Sequence, residues 1–521
     1  MVKRKKKIGS KEDTTMKKNI LSMAALLMAS AAVFTACSSD DNITGEQPAN
    51  PTGKYTMTVN ASKGGDATTR ALSLEGKTLN ATWATTENVY VKKGDTWAGG
   101  SLQPEADGAT ATLKGTLTGI TPASSDVLTL QFPRSGERDY SGQVGTLADI
   151  AAKYDYATAT VTVADVSATG NIIPEEATTT FTNQQAIVKF SLTDKTTTSA
   201  ISATQLVVNN GTTDYTITPA SATSEIYVAL PGFSGQTVTL TATAGGNTYS
   251  YEKTGVSFTN GQYYEIGVKM SPIISLSDRT YLDDELVIAD GYIVTGYATA
   301  YSCKVAVADG ATVTLRDVEN NNGNLDPSSA CPGIKCLGDA TIILEGNNTV
   351  NGGYMYAGIY VPENKTLTIR GTGSLTVTGG SRGAGIGGNI EDNCGSIVIE
   401  GGTIVAEGGD GAAGIGLGYS FERVFGDITI SGGTVTATGC DEAPGIGGPN
   451  AYFQNITITD GVTKVTVNKG SESTYSIGTS ESDYMEYCGA ITIGGTVYLN
   501  GGYFENGGDS YLQTSPLVYQ P

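Results

Sequence analysis

The chain of 521 residues contains no histidine. That absence excludes Ser-His-Asp and Cys-His catalysis, imidazole proton shuttling and every His-ligated metal. It also weighs against zinc, because the seven cysteines have no imidazole to join them. Basic residues are scarce beside acidic ones, 32 against 52, which argues against nucleic acid as a partner. The apolar stretch Ile20–Phe34 covers 15 residues, too short to cross a bilayer but right for a signal-peptide core. The second half of the chain has no sustained helical periodicity, so a helical repeat is excluded there.

What that half does contain is a recurring phrase. It reads Pro-Gly-Ile-Lys at Pro332–Lys335 and Ala-Gly-Ile-Tyr at Ala357–Tyr360. It returns as Ala-Gly-Ile-Gly from Ala384 and from Ala413, Pro-Gly-Ile-Gly from Pro444, and Tyr-Ser-Ile-Gly from Tyr475. The isoleucines Ile334, Ile359, Ile386, Ile415, Ile446 and Ile477 are spaced by 25, 27, 29, 31 and 31 residues. A period of this size marks a stacked array whose repeats bury apolar faces only against their neighbours. Between the isoleucines run segments such as Ile397–Ile399 and Ile428–Ile430, then Ile404/Ala406 and Val435/Ala437, apolar at every second position. Period two is a strand with one dry face. Three strands per repeat with Gly-rich corners describe one coil of a parallel β-helix, and about seven coils fit between Val313 and Leu499.

The N-terminus opens with the basic tract Lys3–Lys7, then Met16-Lys17-Lys18 before the apolar stretch, and Met16 is the expected true start. The stretch ends in Phe34-Thr35-Ala36-Cys37, which resembles the lipobox of bacterial lipoproteins, with Cys37 acylated. The following Ser38-Ser39-Asp40-Asp41 resembles the acidic surface-export signal of Bacteroidota lipoproteins. An outer-membrane lipoprotein facing outward is expected, touching the membrane through its lipid anchor only. Loss of residues 1–36 removes eight basic and two acidic residues, leaving 24 against 50 and a net charge of −26. Anionic glycans would then need a bridging cation. The expected divisions are 1–36 signal peptide, 37–53 lipidated linker, 54–270 β-sandwich and 271–521 β-helix.

From Lys54 onward, alternating segments point to strands at Tyr55–Val59, Val89–Val91, Leu128–Phe132, Ala186–Leu192, Gln205–Val208, Glu225–Leu230, Val238–Thr243 and Tyr263–Met270. Leu147–Lys153 reads as a short helix. An antiparallel sandwich is expected, with two sub-domains meeting near residue 165. Three features resemble the fimbrillin-like lipoproteins of Bacteroidota: Ala67-Thr68-Thr69-Arg70-Ala71, Phe181-Thr182-Asn183-Gln184-Gln185 ahead of a strand, and Gly261-Gln262-Tyr263-Tyr264. The resemblance implies transthyretin-like β-sandwiches over residues 54–270. It also implies fimbrial assembly by strand exchange after cleavage at an Arg near the mature N-terminus, for which Arg70 is the candidate; a solvated Arg is the alternative.

The cysteines suggest packing more than redox chemistry. Cys394 and Cys488 hold matching places in their repeats, with Phe425 and Phe453 there in between, which favours buried apolar contact. Cys331 and Cys336 could pair, whereas Cys303 and Cys440 have no evident partner.

Three function classes remain: adhesion or fimbria-like assembly, glycan binding, and polysaccharide cleavage by paired carboxylates or a Ca²⁺-assisted lyase site. The outward strand positions are mostly Thr and Val, with Glu400 and Glu407 isolated, so binding without catalysis is the leading expectation. The loops after each Gly-Ile-Gly, residues 388–394, 417–425, 448–453 and 479–488, should line up on one edge. Their candidate contact residues are Glu391, Asp392, Tyr419, Glu422, Tyr452, Asp483 and Tyr484, beside Phe421, Phe453, Glu481 and Tyr487. Aromatic faces stack on sugars, and carboxylates accept sugar hydroxyls. A polysaccharide or a host or bacterial surface ligand is the expected partner. No cofactor is required; Ca²⁺ is a candidate ion between carboxylates such as Asp392 and Glu422. The bland alternative is a set of solvated corner loops.

Overall fold

The computed structural model describes residues 53–63, 73–75, 78–80, 82–133, 139–278, 285–298, 304–322, 327–480, 488–503 and 517–519. Cys37, Arg70, Cys303, Glu481, Asp483, Tyr484 and Tyr487 therefore lie outside the described residues. The described chain is almost entirely strand, gathered around three separate hydrophobic cores.

The first core forms because Lys54–Ser62 alternates strictly, turning Tyr55, Met57, Val59 and Ala61 inward and Lys, Thr and Asn outward. This strand lies in mid-sheet, antiparallel to Thr110–Thr118 on one side and parallel to Asn171–Pro174 and Thr178–Thr180 on the other. The far ends of the sheet meet where Val89 and Leu102 exchange backbone hydrogen bonds of 2.8 Å. Trp83 and Phe181, packed edge to face at 5.0 Å, fill the middle.

The second core is built from Ala186–Asp194, Gln205–Asn209, Asp214–Ile217, Glu225–Leu230, Phe233–Ala244, Asn247–Phe258 and Tyr263–Ser275. Most pairings are antiparallel, but Ala186–Asp194 runs parallel to Tyr263–Ser275. The expected short helix is Leu147–Asp149, extended by a π-turn over Ile150–Tyr154. The Thr146 hydroxyl caps it by accepting from the Asp149 N–H. Ile150 and Tyr154 pack into the second core although residues 157–181 belong to the first, so the chain visits the second core before completing the first.

The third core is a right-through apolar column from Leu276 to Leu499, wrapped by a parallel β-helix of three faces. On the first face Ile334, Ile359, Ile386, Ile415, Ile446 and Ile477 sit in direct parallel register, all buried. On the second, Val313, Ile342, Ile369, Ile399, Ile430, Ile458 and Ile493 sit in the same direct register, buried except for the half-buried Ile493, giving the expected seven rungs. The third face stacks Val350, Val377, Ala406, Ala437, Val467 and Leu499.

Glycine after the isoleucine is dictated by closeness. Gly387 and Gly416 have φ of 138° and 132°, and a Cβ on Gly387 would stand 1.8 Å from the Gly416 carbonyl oxygen. The sheet of the second core runs on into the β-helix, because Tyr263–Ser275 pairs in parallel with Ile293–Ala298. Cys331 and Cys336 are not joined to each other, which settles the pairing left open above. Cys336 points inward from its strand, and Cys331 accepts a hydrogen bond from Asn322.

Candidate functional site

Each loop that follows a Gly-Ile-Gly strand leaves the first face and returns to the second. Its backbone bonds to the same loop of the next coil. The Glu391 N–H donates to the Tyr419 carbonyl at 3.0 Å, and the Glu422 N–H to Asn450 at 3.1 Å. The Cys394 N–H donates to Val424, and the Tyr452 N–H to Arg423. Val424–Phe425 and Tyr452–Phe453 thereby form a small extra parallel sheet. Inside it Phe425 and Phe453 stack at 5.5 Å, with Cys394 bridged to Phe425 at the end of the column. Three of the four loops stand in one row; the last falls largely on undescribed residues.

The row spreads the expected contact residues unevenly. Glu391 is exposed, with a carboxylate oxygen 3.5 Å from Arg423 Nη2, while Arg423 Nε donates to the Glu391 carbonyl at 2.8 Å. Glu422 is exposed beside Phe421 and Val424, which are 49% and 40% exposed. Tyr419 and Tyr452 are half-buried. Glu391 and Glu422 both hold left-handed backbone, at φ of 57° and 55°.

Asp392 serves the fold instead. It accepts from Asn389 Nδ2 at 2.9 Å, and Asn389 Oδ1 in turn accepts the Ala357 N–H at 3.0 Å. The charge of Asp392 also acts on the Tyr360 phenol, whose pKa is pushed up to about 12, first by burial and then by that charge. A cation between Asp392 and Glu422 would have to compete with those partners. Among the described residues, the group of three donors close enough to share an ion is elsewhere: Asp410, Cys440 and Asp441, with ligand atoms within 4.8 Å. Its thiol is raised by burial and by Asp441, which disfavours the thiolate a soft metal needs.

The turns before each Gly-Ile-Gly complete the same edge, and sequence reasoning passed over them. Gly383 N–H donates to Gly380, and Ala412 N–H to Gly409, closing equivalent turns in successive coils. Each turn then meets the loop of the next coil: the Ile390 N–H donates to Met355, and the Tyr419 N–H to Arg382 at 2.9 Å. Arg382 lies over the Tyr419 ring, 5.1 Å from its centroid, and Tyr419 meets Phe421 edge to face at 5.3 Å. Gly411 makes room for that ring, since a Cβ there would come within 2.6 Å of Tyr419. The missed signal was the recurrence of Gly-Ser-Arg-Gly and Gly-Asp-Gly-Ala at one place in the period.

Comparison with known proteins gives one family match: residues 397–419 and 428–450 fit a family described as Beta helix repeat. These are two successive coils at the centre of the row. No curated protein matches the chain. Among solved structures, a fimbrial assembly protein from Parabacteroides distasonis shares 12% identity, covering 41% of this chain and 90% of its own, with a TM-score of 0.24. The tip fimbrial protein Mfa3 from Porphyromonas gingivalis, with C-terminal truncation, shares 9%, covering 42% and 95%, also at 0.24. At such scores the likeness is too slight to say what this chain does.

Proposed function

We propose that this chain is a surface lipoprotein, anchored through Cys37, that holds a glycan along the loop edge of its β-helix without turning it over. The observation that carries this reading is the stacked row itself: loops locked coil to coil by backbone hydrogen bonds, yet presenting Phe421 and Val424 to solvent. Apolar surface on a rigid edge, flanked by carboxylates and arginines, suits sugar rings and their hydroxyls. Weak contacts repeated along such an array add up through avidity. Adhesion to a polysaccharide on another surface follows from an anchor, two β-sandwich cores and a rod. The test is a panel of plant and host polysaccharides offered to the purified mature chain, with and without a chelator. Signal lost in Phe421→Ala supports the edge; signal indifferent to Phe421 and Tyr452 moves the site, and release of reducing or unsaturated sugar replaces the reading with an enzyme.

A second reading rests on the strand Lys54–Ser62, which precedes Arg70 and sits in mid-sheet with every inward side chain buried. Its withdrawal after cleavage at Arg70 would leave a long groove for another copy's strand, as in fimbrial assembly by strand exchange. Ladders of oligomers after proteolysis, absent in Arg70→Ala, would favour it.

A further inference from the structure

We infer that the edge recognises a sugar bearing a carboxylate, and that Arg382 is the residue that binds it; this rests on the glycan-binding reading above. Arg382 is exposed and, among the described residues, has no carboxylate within ion-pair distance, whereas Arg316 and Arg423 pair with Glu345 and Glu391. Among the described residues Arg370 also lacks such a partner, and no ring lies against it. The Arg382 guanidinium is held over Tyr419, which is fixed by its own N–H bond to the Arg382 carbonyl and seated over Gly411. A stacked guanidinium keeps its planar fork of donors free, and that fork matches a carboxylate in two parallel hydrogen bonds. Because the ring already restrains the side chain, little rotamer freedom is left to lose on binding.

The surroundings select a sugar rather than a bare anion. Phe421 stands perpendicular to Tyr419, half its surface in solvent, and offers an apolar wall to the C–H face of a pyranose ring. Coils rise by roughly one strand spacing, about 4.8 Å, which is close to the length of one ring in an extended chain. Arg382 holds φ of 69°, the turn geometry of the repeat, which Met355 and Gly411 share at φ of 71° and 68° in the neighbouring coils. The overall charge opposes this ligand, so attraction has to be local. A cationic group on an edge otherwise lined by Glu391, Asp410 and Glu422 supplies it without a bridging cation.

Two natural sources carry this chemistry, uronic acids in polysaccharides and sialic acids at glycan ends. Calorimetric titration of the full mature chain with oligogalacturonate, its methyl ester, sialyllactose and lactose separates them. At least one acid should bind, about tenfold or more tighter than its uncharged counterpart. Arg382→Gln should remove that preference, bringing acid and uncharged forms to equal affinity, and Arg370→Gln should have no effect. Because Arg382 is exposed and Gln meets the same backbone requirement, circular dichroism and melting should match the parent. Equal affinity for acid and neutral forms, or a preference that survives Arg382→Gln, overturns the assignment. Silence from all four probes also overturns it, while the broader glycan reading falls only if the wide polysaccharide panel is silent too.

Discussion

Lys63 and Glu87 form an ion pair inside the first core, with the ammonium 2.9 Å from both carboxylate oxygens. Lys63 also donates to the Thr82 carbonyl, and its ammonium lies 4.3 Å from the Phe132 ring centroid and 4.7 Å from that of Trp83. The pair fastens the end of the Lys54–Ser62 strand, the strand whose release the fimbrial reading requires. A buried pair contributes little net stability when whole, but removing one partner strands a charge, at a cost of about 3–5 kcal/mol. Glu87→Gln should therefore lower the unfolding free energy by that order. Lys63→Met combined with Glu87→Leu should recover much of the loss. Denaturant unfolding of the parent and the two variants decides it, and a double variant no better than the single one refutes the account.

The interior columns predict a sharp contrast between faces of one strand. Ile430→Ala removes a fully buried side chain stacked between Ile399 and Ile458, and should cost about 2–5 kcal/mol. Its outward neighbour Thr429→Ala should stay within about 0.5 kcal/mol. Gly416→Ala adds a methyl 1.9 Å from the Gly447 carbonyl oxygen at a φ of 132°, and should be as damaging as the cavity. Thermal melts monitored by circular dichroism give the ranking.

These contrasts show where sequence was legible. Ile386, Ile415 and Ile446 announce their register because one phrase recurs around them, and stacking forces equivalent residues into one column. Glu225–Leu230 was readable for the same local reason, an unbroken alternation of large apolar residues. Thr110–Thr118 and Ala157–Val166 were not, since Ala111, Gly115, Ala157 and Ala159 give a weak apolar signal although the strands are central. The parallel pairing of Ile187 with Tyr263 is a choice of distant partner that no local pattern encodes. At the edge, loop membership of Glu391 and Tyr419 was visible. The inward use of Asp392 was not, because it depends on Asn389 reaching Ala357, and on Tyr360, both in the neighbouring coil. Arg382 was not legible either, because the ring it stacks on, Tyr419, belongs to the next coil.

Tyr360 carries a pH signature. Its folded pKa of about 12 lies above the ordinary 10, so folding favours the neutral phenol. The associated stability is fully present below pH 10 and is lost as pH rises from 10 towards 12. Tyr360→Phe has no phenol to ionise, so the stability gap between parent and variant should shift against the parent above pH 10. Chemical unfolding at a series of pH values tests this, and a gap that is constant to pH 11.5 rules the linkage out.

Thiol reactivity should follow burial. Cys336 is enclosed and pushed up to about 12, and Cys394 is raised further by burial and by Cys336. Cys440 is partly exposed at its turn. Of these three, Cys440 should alkylate first at pH 8, with Cys336 and Cys394 reacting only on unfolding. Peptide mass spectrometry after timed iodoacetamide treatment reads the order.

Ile273 pairs with Ile293, Ile274 with Val294 and Ser275 with Thr295, so the last strand of the second core is also the first template of the solenoid. Arg316 reinforces the join by reaching Ser250 at 3.3 Å while bonding Glu345. A solenoid end is an open row of backbone donors and acceptors above an apolar column, and it must be covered. Here the second core covers it. A chain cut to begin at residue 285 would expose Ile293, Val294 and the strand edge together. It should aggregate or lose its first coils, whereas a chain beginning at residue 182, which keeps the second core's strands, should retain a folded rod. Size-exclusion chromatography with light scattering distinguishes the two. A monomeric, fully folded product from the shorter chain would mean that the β-helix caps itself and that the continuous sheet is incidental to its stability.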